Sequence, residues 1–300
     1  MSAADTVTPH RRSRAARIGD VLRQLMSRPR SAFGMAVITI MVSAAVFAPW
    51  LMPHDPFEQS FDGLTLSGGP LPPGGDYLLG TDLLGRDLLS RLILGTRTSL
   101  IIGVIANGIA ILLGAAVGIS AGFFGGWTAT ILMRFTDLMM AFPALLLAIV
   151  LAAIFQPSLL IVALVIAMVN WVQMARVIFT ETRSLVEREF IQVQRSIGSG
   201  PLRILGSHLL PHLLSSIVVF GTLGISTTVL LEATLSFLGV GVQPPTPSWG
   251  NIIFENQTYF TTAPWLVFFP GLAIILLALA FNLVGDVLRD ILDPTLKGRH

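Results

Sequence analysis

This chain of 300 residues has no cysteine and a single lysine, Lys297. The first absence excludes disulfides, thiolate metal sites and a cysteine nucleophile, and it leaves the redox compartment unreadable. The second excludes a phosphate-binding loop of the form GxxxxGK[ST], because Lys297 follows Leu296 and precedes Gly298. Charge is scarce too: 12% of residues are Asp, Glu, Lys or Arg, against roughly 25% in a soluble domain. The five histidines include His208 and His212 at i, i+4, but Pro211 lies between them and no third ligand is close in sequence, so no metal site is expected. No nucleophile elbow and no paired catalytic carboxylates stand out, and catalysis by this chain is not expected. The basic residues are not clustered as nucleic-acid binding would require.

What is present is apolar. Hydrophobic residues make up 53% of the chain and the mean hydropathy is +0.76. About 20 apolar residues at 1.5 Å rise cross a ~30 Å hydrocarbon core. Six runs approach or exceed that length: Phe33–Met52, Ser99–Gly122, Ala129–Phe155, Ser158–Phe179, Leu213–Gly239 and Ala263–Val287. The expected fold is an all-α membrane protein with six transmembrane helices. The first run is too long for the h-region of a secretory signal. Sixteen of the 19 Lys and Arg residues fall on one side of these runs, and only Arg86, Arg91 and Arg97 fall on the other. The positive-inside rule then places both termini in the cytoplasm, which six spans also require. Pro53–Thr98 and Gly241–Thr262 are expected outside, the latter stiffened by Pro244, Pro245 and Pro247. Residues 1–32 read as a basic arm followed by an amphipathic helix, with Ile18, Val21, Leu22, Leu25 and Met26 at helical spacing. Residues 33–300 form the six-span domain.

Polar side chains inside spans tend to face a bundle interior or a water-filled cavity. Asn107, Asn170, Gln173, Thr228 and Glu232 are therefore candidates for a solute pathway. For Glu232 a second reading stays open, in which it ties helices together. Arg134 and Asp137 stand at i, i+3 and are expected to pair. Pro143 is expected to kink the third span. Gly103, Gly108, Gly114 and Gly118 are expected to permit close packing of the second. Without a chain of intramembrane carboxylates, an ion-coupled secondary transporter is the weaker alternative to an ATP-driven one.

The polar segment Glu189–Pro211 carries the most specific pattern. Its Gly198 and Leu210-Pro211 keep the spacing of a signature that reads Glu-Ala-Ala, three residues, Gly, nine residues, Ile-x-Leu-Pro. The segment resembles the cytoplasmic coupling loop of importer-type ABC permeases. It departs from that loop at Gln192-Val193-Gln194, which replace Glu-Ala-Ala, with Glu189 one turn earlier. LGTDLLGRDLLSRLILGTRTSL from Leu79, MRFTDLMMAFPALLLAI from Met133, LEATLSFLGVGVQPPTPSWG from Leu231 and FNLVGDVLRDILDP from Phe281 are similar, in order, to segments of the dipeptide and oligopeptide importer permeases. The long loop before the second span resembles the C-type subunit.

The resemblance implies a type I-like permease of a bacterial cytoplasmic (inner) membrane importer. It also implies a homologous second permease, two ATPase subunits or domains that hold ATP and Mg, and an extracytoplasmic solute-binding protein. This chain would hold no cofactor. The loop 180–212 would meet the ATPase through Glu189, Gln192, Val193, Gln194, Gly198, Pro201, Arg203 and Pro211, with a short coupling helix near Ser196–Leu205. The solute would be a dipeptide or oligopeptide, or the nickel, glutathione or sugar-like cargo of relatives.

Overall fold

The computed structural model describes residues 14–156 and 158–292. Most of the basic arm and the charged tail residues Lys297 and Arg299 lie outside them. Within the described residues all regular structure is helical, and three isolated β-bridges pin the loop between residues 64 and 87.

Helix α1 (Arg14–Ser27) precedes α2 (Pro29–Val46), whose first residue is a proline. At that position the missing N–H of proline costs nothing. The first span thus starts four residues earlier than expected and is followed by a single turn, α3 (Ala48–Leu51). The apolar stripe of α1 is divided. Val21 and Leu25 pack on Val287, Leu288 and Ile291 near the C-terminus of the last helix, while Leu22 and Met26 face outward.

Helix α4 (Leu88–Phe124) has 37 residues, about 55 Å at 1.5 Å per residue. It begins eleven residues before the apolar run does, because Asp87 caps it by accepting the Ser90 N–H at 2.9 Å. Its last turns lie against α7 (Leu159–Val186) along Gly114, Gly118 and Gly122. A Cβ on any of these three would come within 2.6 Å of Met174, Ala175 or Thr182, so only glycine allows this separation. Gly103 similarly meets Val229, but Gly108 faces open space and is not a packing residue.

The third span departs most from expectation. It is not one kinked helix but two, α5 (Gly126–Met140) and α6 (Ala144–Ile154), bent by 89°. Pro143 is extended, with ψ 122°, and serves as the N-cap of α6. A proline disfavours helical geometry in the residue before it, so the helix ends and restarts rather than bending.

The polar loop holds α8 (Glu189–Ser196) and α9 (Pro201–Ile204). A π-turn, Leu205–Leu209, runs from α9 directly into α10 (Leu210–Phe237). Beyond α10, α11 (Trp249–Asn256) starts at Ser248, which forms a capping box with Asn251. The chain returns through α12 (Trp265–Leu292). Five described helices are long and apolar enough to cross a membrane, and the bent pair α5–α6 supplies a sixth if it counts as one span.

Candidate functional site

The loop between α7 and α10 is anchored on one side and bare on the other. Ile191 is fully buried and clusters with Phe123, Val186, Ile204 and Leu209, with Phe190 packed against them. Arg195 lies 5.3 Å over the Phe123 ring. Gly198 ends α8 with φ +78°, a conformation that costs any residue with a Cβ. The loop thus holds two short helices, α8 and, inside the expected Ser196–Leu205, α9 (Pro201–Ile204), parted by the break at Gly198.

Among the predicted coupling residues, Glu189, Gln192, Val193, Gly198, Pro201, Arg203 and Pro211 are exposed, and Gln194 is half-buried, accepting from the Ser199 hydroxyl at 2.9 Å. Of the apolar side chains of this loop, Phe190 packs inward, whereas Val193, Ile197 and Leu202 are exposed at 56%, 68% and 84%.

In the membrane part, Asn107 of α4 with Asn170 and Gln173 of α7 meet Leu223, Gly224 and Thr227 of α10 around a cleft of about 330 Å³. Asn107 donates to the Gly221 carbonyl at 2.6 Å, and Asn170 donates to the Thr228 hydroxyl at 3.1 Å. These bonds fix both amides. Gln173 is exposed. Thr228 itself is buried behind Asn170.

Glu232 does not join this cleft. It is fully buried and accepts from Ser99 of α4 at 2.9 Å and from Ser236, one turn on, at 2.8 Å. The Ser99 hydroxyl in turn receives the Trp249 N–H of α11 at 3.4 Å. This geometry favours the helix-tying reading.

The expected Arg134–Asp137 pair does not form. Asp137 pairs with Arg176 of α7, and Arg134 is exposed. Packing of α5 beside α7 offers Asp137 an arginine across the interface, which sequence spacing could not reveal.

One cluster escaped sequence reading altogether. Asp82, Arg86, Arg91 and Glu255 form a buried set in which Arg86 reaches Asp82 at 2.6 Å and Glu255 at 2.7 Å, and Arg91 reaches Glu255 at 2.8 Å. Arg91 is completely buried. The i, i+4 spacing of Asp82 and Arg86 was a usable signal. Nothing linked either to Glu255, 169 residues beyond Arg86.

An apolar bundle that carries amide side chains around a membrane cleft and projects a polar loop between two spans is a transport permease. Residues 114–298 match the family of binding-protein-dependent transport system inner membrane components, and residues 17–73 match the N-terminal transmembrane domain of oligopeptide transport permease C. The chain belongs to this family, as a permease subunit of an ABC importer.

It is 38% identical to a dipeptide transport system permease protein of Alkalihalophilus pseudofirmus, over 93% of this chain and 90% of that one. It is 42% identical to a di/tripeptide transport system permease protein of Pseudomonas aeruginosa, over 88% of each. It is 41% identical to a glutathione transport system permease protein of Pectobacterium atrosepticum, over 87% of this chain and 85% of that one. In fold it is similar to a chain of an inward-facing methionine ABC transporter, with a TM-score of 0.54 at 17% identity, covering 69% of this chain and 98% of that chain.

Proposed function

We propose that this chain is the C-type permease of an importer for short peptides or chemically similar solutes. It works beside a homologous second permease, receives solute from an extracytoplasmic binding protein, and is driven by two ATPase subunits or domains that hold ATP and Mg. Both termini are cytoplasmic, so the 53–98 and 241–262 loops face outward. The chain hydrolyses no ATP. Its part is to convert movement of the α8–α9 loop into movement of its spans and so alternate the access of the cleft.

One observation carries this reading. Val193, Ile197 and Leu202 stand exposed on the polar connection between α7 and α10, beside Arg195 and Arg203. Apolar side chains grouped on a polar loop favour a protein partner. From Pro201 the chain continues without interruption into α10, so a push on the loop is delivered to a span. The peptide class is supported by the names of the relatives and by the uncharged, amide-lined cleft, whose donors and acceptors suit a peptide backbone.

The test pairs co-purification with uptake. Gly198→Val forces a β-branched residue into a positive φ, and Arg203→Glu reverses a charge on the exposed face. Both should leave the protein in the membrane and abolish ATP-driven uptake. Normal uptake and normal ATPase assembly in both variants would refute the assignment. Sidedness is checked on the cysteine-free chain: an impermeant thiol reagent on intact cells should label Ser67→Cys and spare Ser199→Cys.

A further inference from the structure

A second cavity, of about 470 Å³, opens between the loop-proximal ends of α7, α10 and α12. Unlike the amide cleft, its wall carries opposite charges. Glu181 of α7 holds one carboxylate oxygen on the Ser216 hydroxyl at 2.7 Å. Arg289 of α12 faces the same space and has no hydrogen-bond or ion-pair partner among the described residues. The two do not pair with each other. Phe220 of α10 borders this cavity and the amide cleft alike, so the two spaces adjoin along one face of α10.

We propose that this cavity is a release site for a zwitterionic solute, with Glu181 receiving an ammonium group and Arg289 a carboxylate. The proposal rests on the peptide-permease reading above and on this end being cytoplasmic. Two unlike charges that line one cavity without pairing with each other offer matched ends to a solute that bears both charges. A guanidinium fork matches a carboxylate with two parallel hydrogen bonds. An extended chain spans roughly 3.3–3.6 Å per residue, so a dipeptide or tripeptide sets its termini about 7–10 Å apart. The cavity volume lies within the roughly 300–1,000 Å³ of small-molecule sites. Arg289 is exposed and Glu181 only half-buried, so water screens both charges and keeps binding weak. Weak binding is what an exit needs. The amide cleft, without charge, would hold the peptide backbone, and this cavity its ends.

The experiment is equilibrium dialysis of radiolabelled trialanine against the purified importer, permeases and ATPases assembled, without ATP. Unlabelled trialanine should compete, and N-acetyl-trialanine amide, which has neither terminal charge, should not. Glu181→Gln and Arg289→Gln should each weaken binding about two- to five-fold, the scale of one partly exposed charge contact. The double exchange Glu181→Arg with Arg289→Glu should restore it. Equal competition by the blocked peptide overturns the proposal without recourse to any variant, as does wild-type binding by either single variant. A fall in ATPase assembly with unchanged trialanine binding would assign the cavity to a partner segment and overturn it too. Uptake of trialanine by cells, measured alongside, separates the two levels. Uptake without end-dependent binding removes the site alone, whereas absence of uptake removes the peptide reading and the site with it.

Discussion

At the end of the bundle that carries the 53–87 loop, four charged side chains are sealed from solvent and bridge that loop to α11. At the opposite end the ion pairs stand in the open: Arg28 with Asp290, half exposed on both sides, and Arg183 with Glu187, exposed further still. The Asp137–Arg176 pair is about two-fifths exposed. Exposed pairs are worth about 0–1 kcal/mol and break cheaply. A buried, mutually satisfied cluster breaks only with a large penalty, because each remaining charge is stranded. One end is therefore held in a single arrangement, and the other can exchange partners as the loop moves.

The comparison can be broken most forcefully at Arg91. Arg91→Met leaves Glu255 and Asp82 short of a cation and should cost about 3–5 kcal/mol, read as a large fall in the melting temperature of the purified permease. Adding Glu255→Gln should recover part of the loss. A melting temperature close to wild type for the single variant would show that the end carrying the 53–87 loop is not locked. Glu232→Ala is next. It removes the acceptor shared by Ser99 and Ser236 and leaves buried hydroxyls unpaired, for about 1–3 kcal/mol. Melting and ATPase assembly should fall together, while a change in uptake alone would return Glu232 to the pathway. The smallest effect belongs to Arg28→Gln, which should change stability by less than about 1 kcal/mol. A larger loss would mean that the opposite end is also fixed.

Hydropathy located the five long helices and the apolar run that holds the bent pair α5–α6, because a hydrocarbon crossing is written in composition. It missed helix ends, because those depend on caps. Asp87 extends α4 well beyond its apolar run, and Pro143 divides α5 from α6. The loop was legible through the spacing of Gly198 and Pro211, and Gly198 shows the positive φ that its type permits. The position of the short helix was not legible, since Ile191 becomes an anchor only once Phe123 and Leu209 are brought beside it. Of the polar candidates, Asn107, Asn170 and Gln173 converge on one cleft. Glu232 lies elsewhere because it is held by Ser99 of α4 and by Ser236 one turn on, a pairing that spacing alone does not reveal.

The break between α5 and α6 has a consequence for solvent. Where one helix stops and another starts at 89°, the terminal carbonyls of the first and the leading N–H groups of the second lose their intrahelical partners. Lipid tails cannot replace those partners, so such a break is tolerated only against protein or beside water. A hollow of about 270 Å³ adjoins this break, with Phe142 and Pro143 on one wall and Gln173 on another. The broken span therefore faces protein or water rather than lipid, and Gln173 borders both the hollow beside it and the amide cleft.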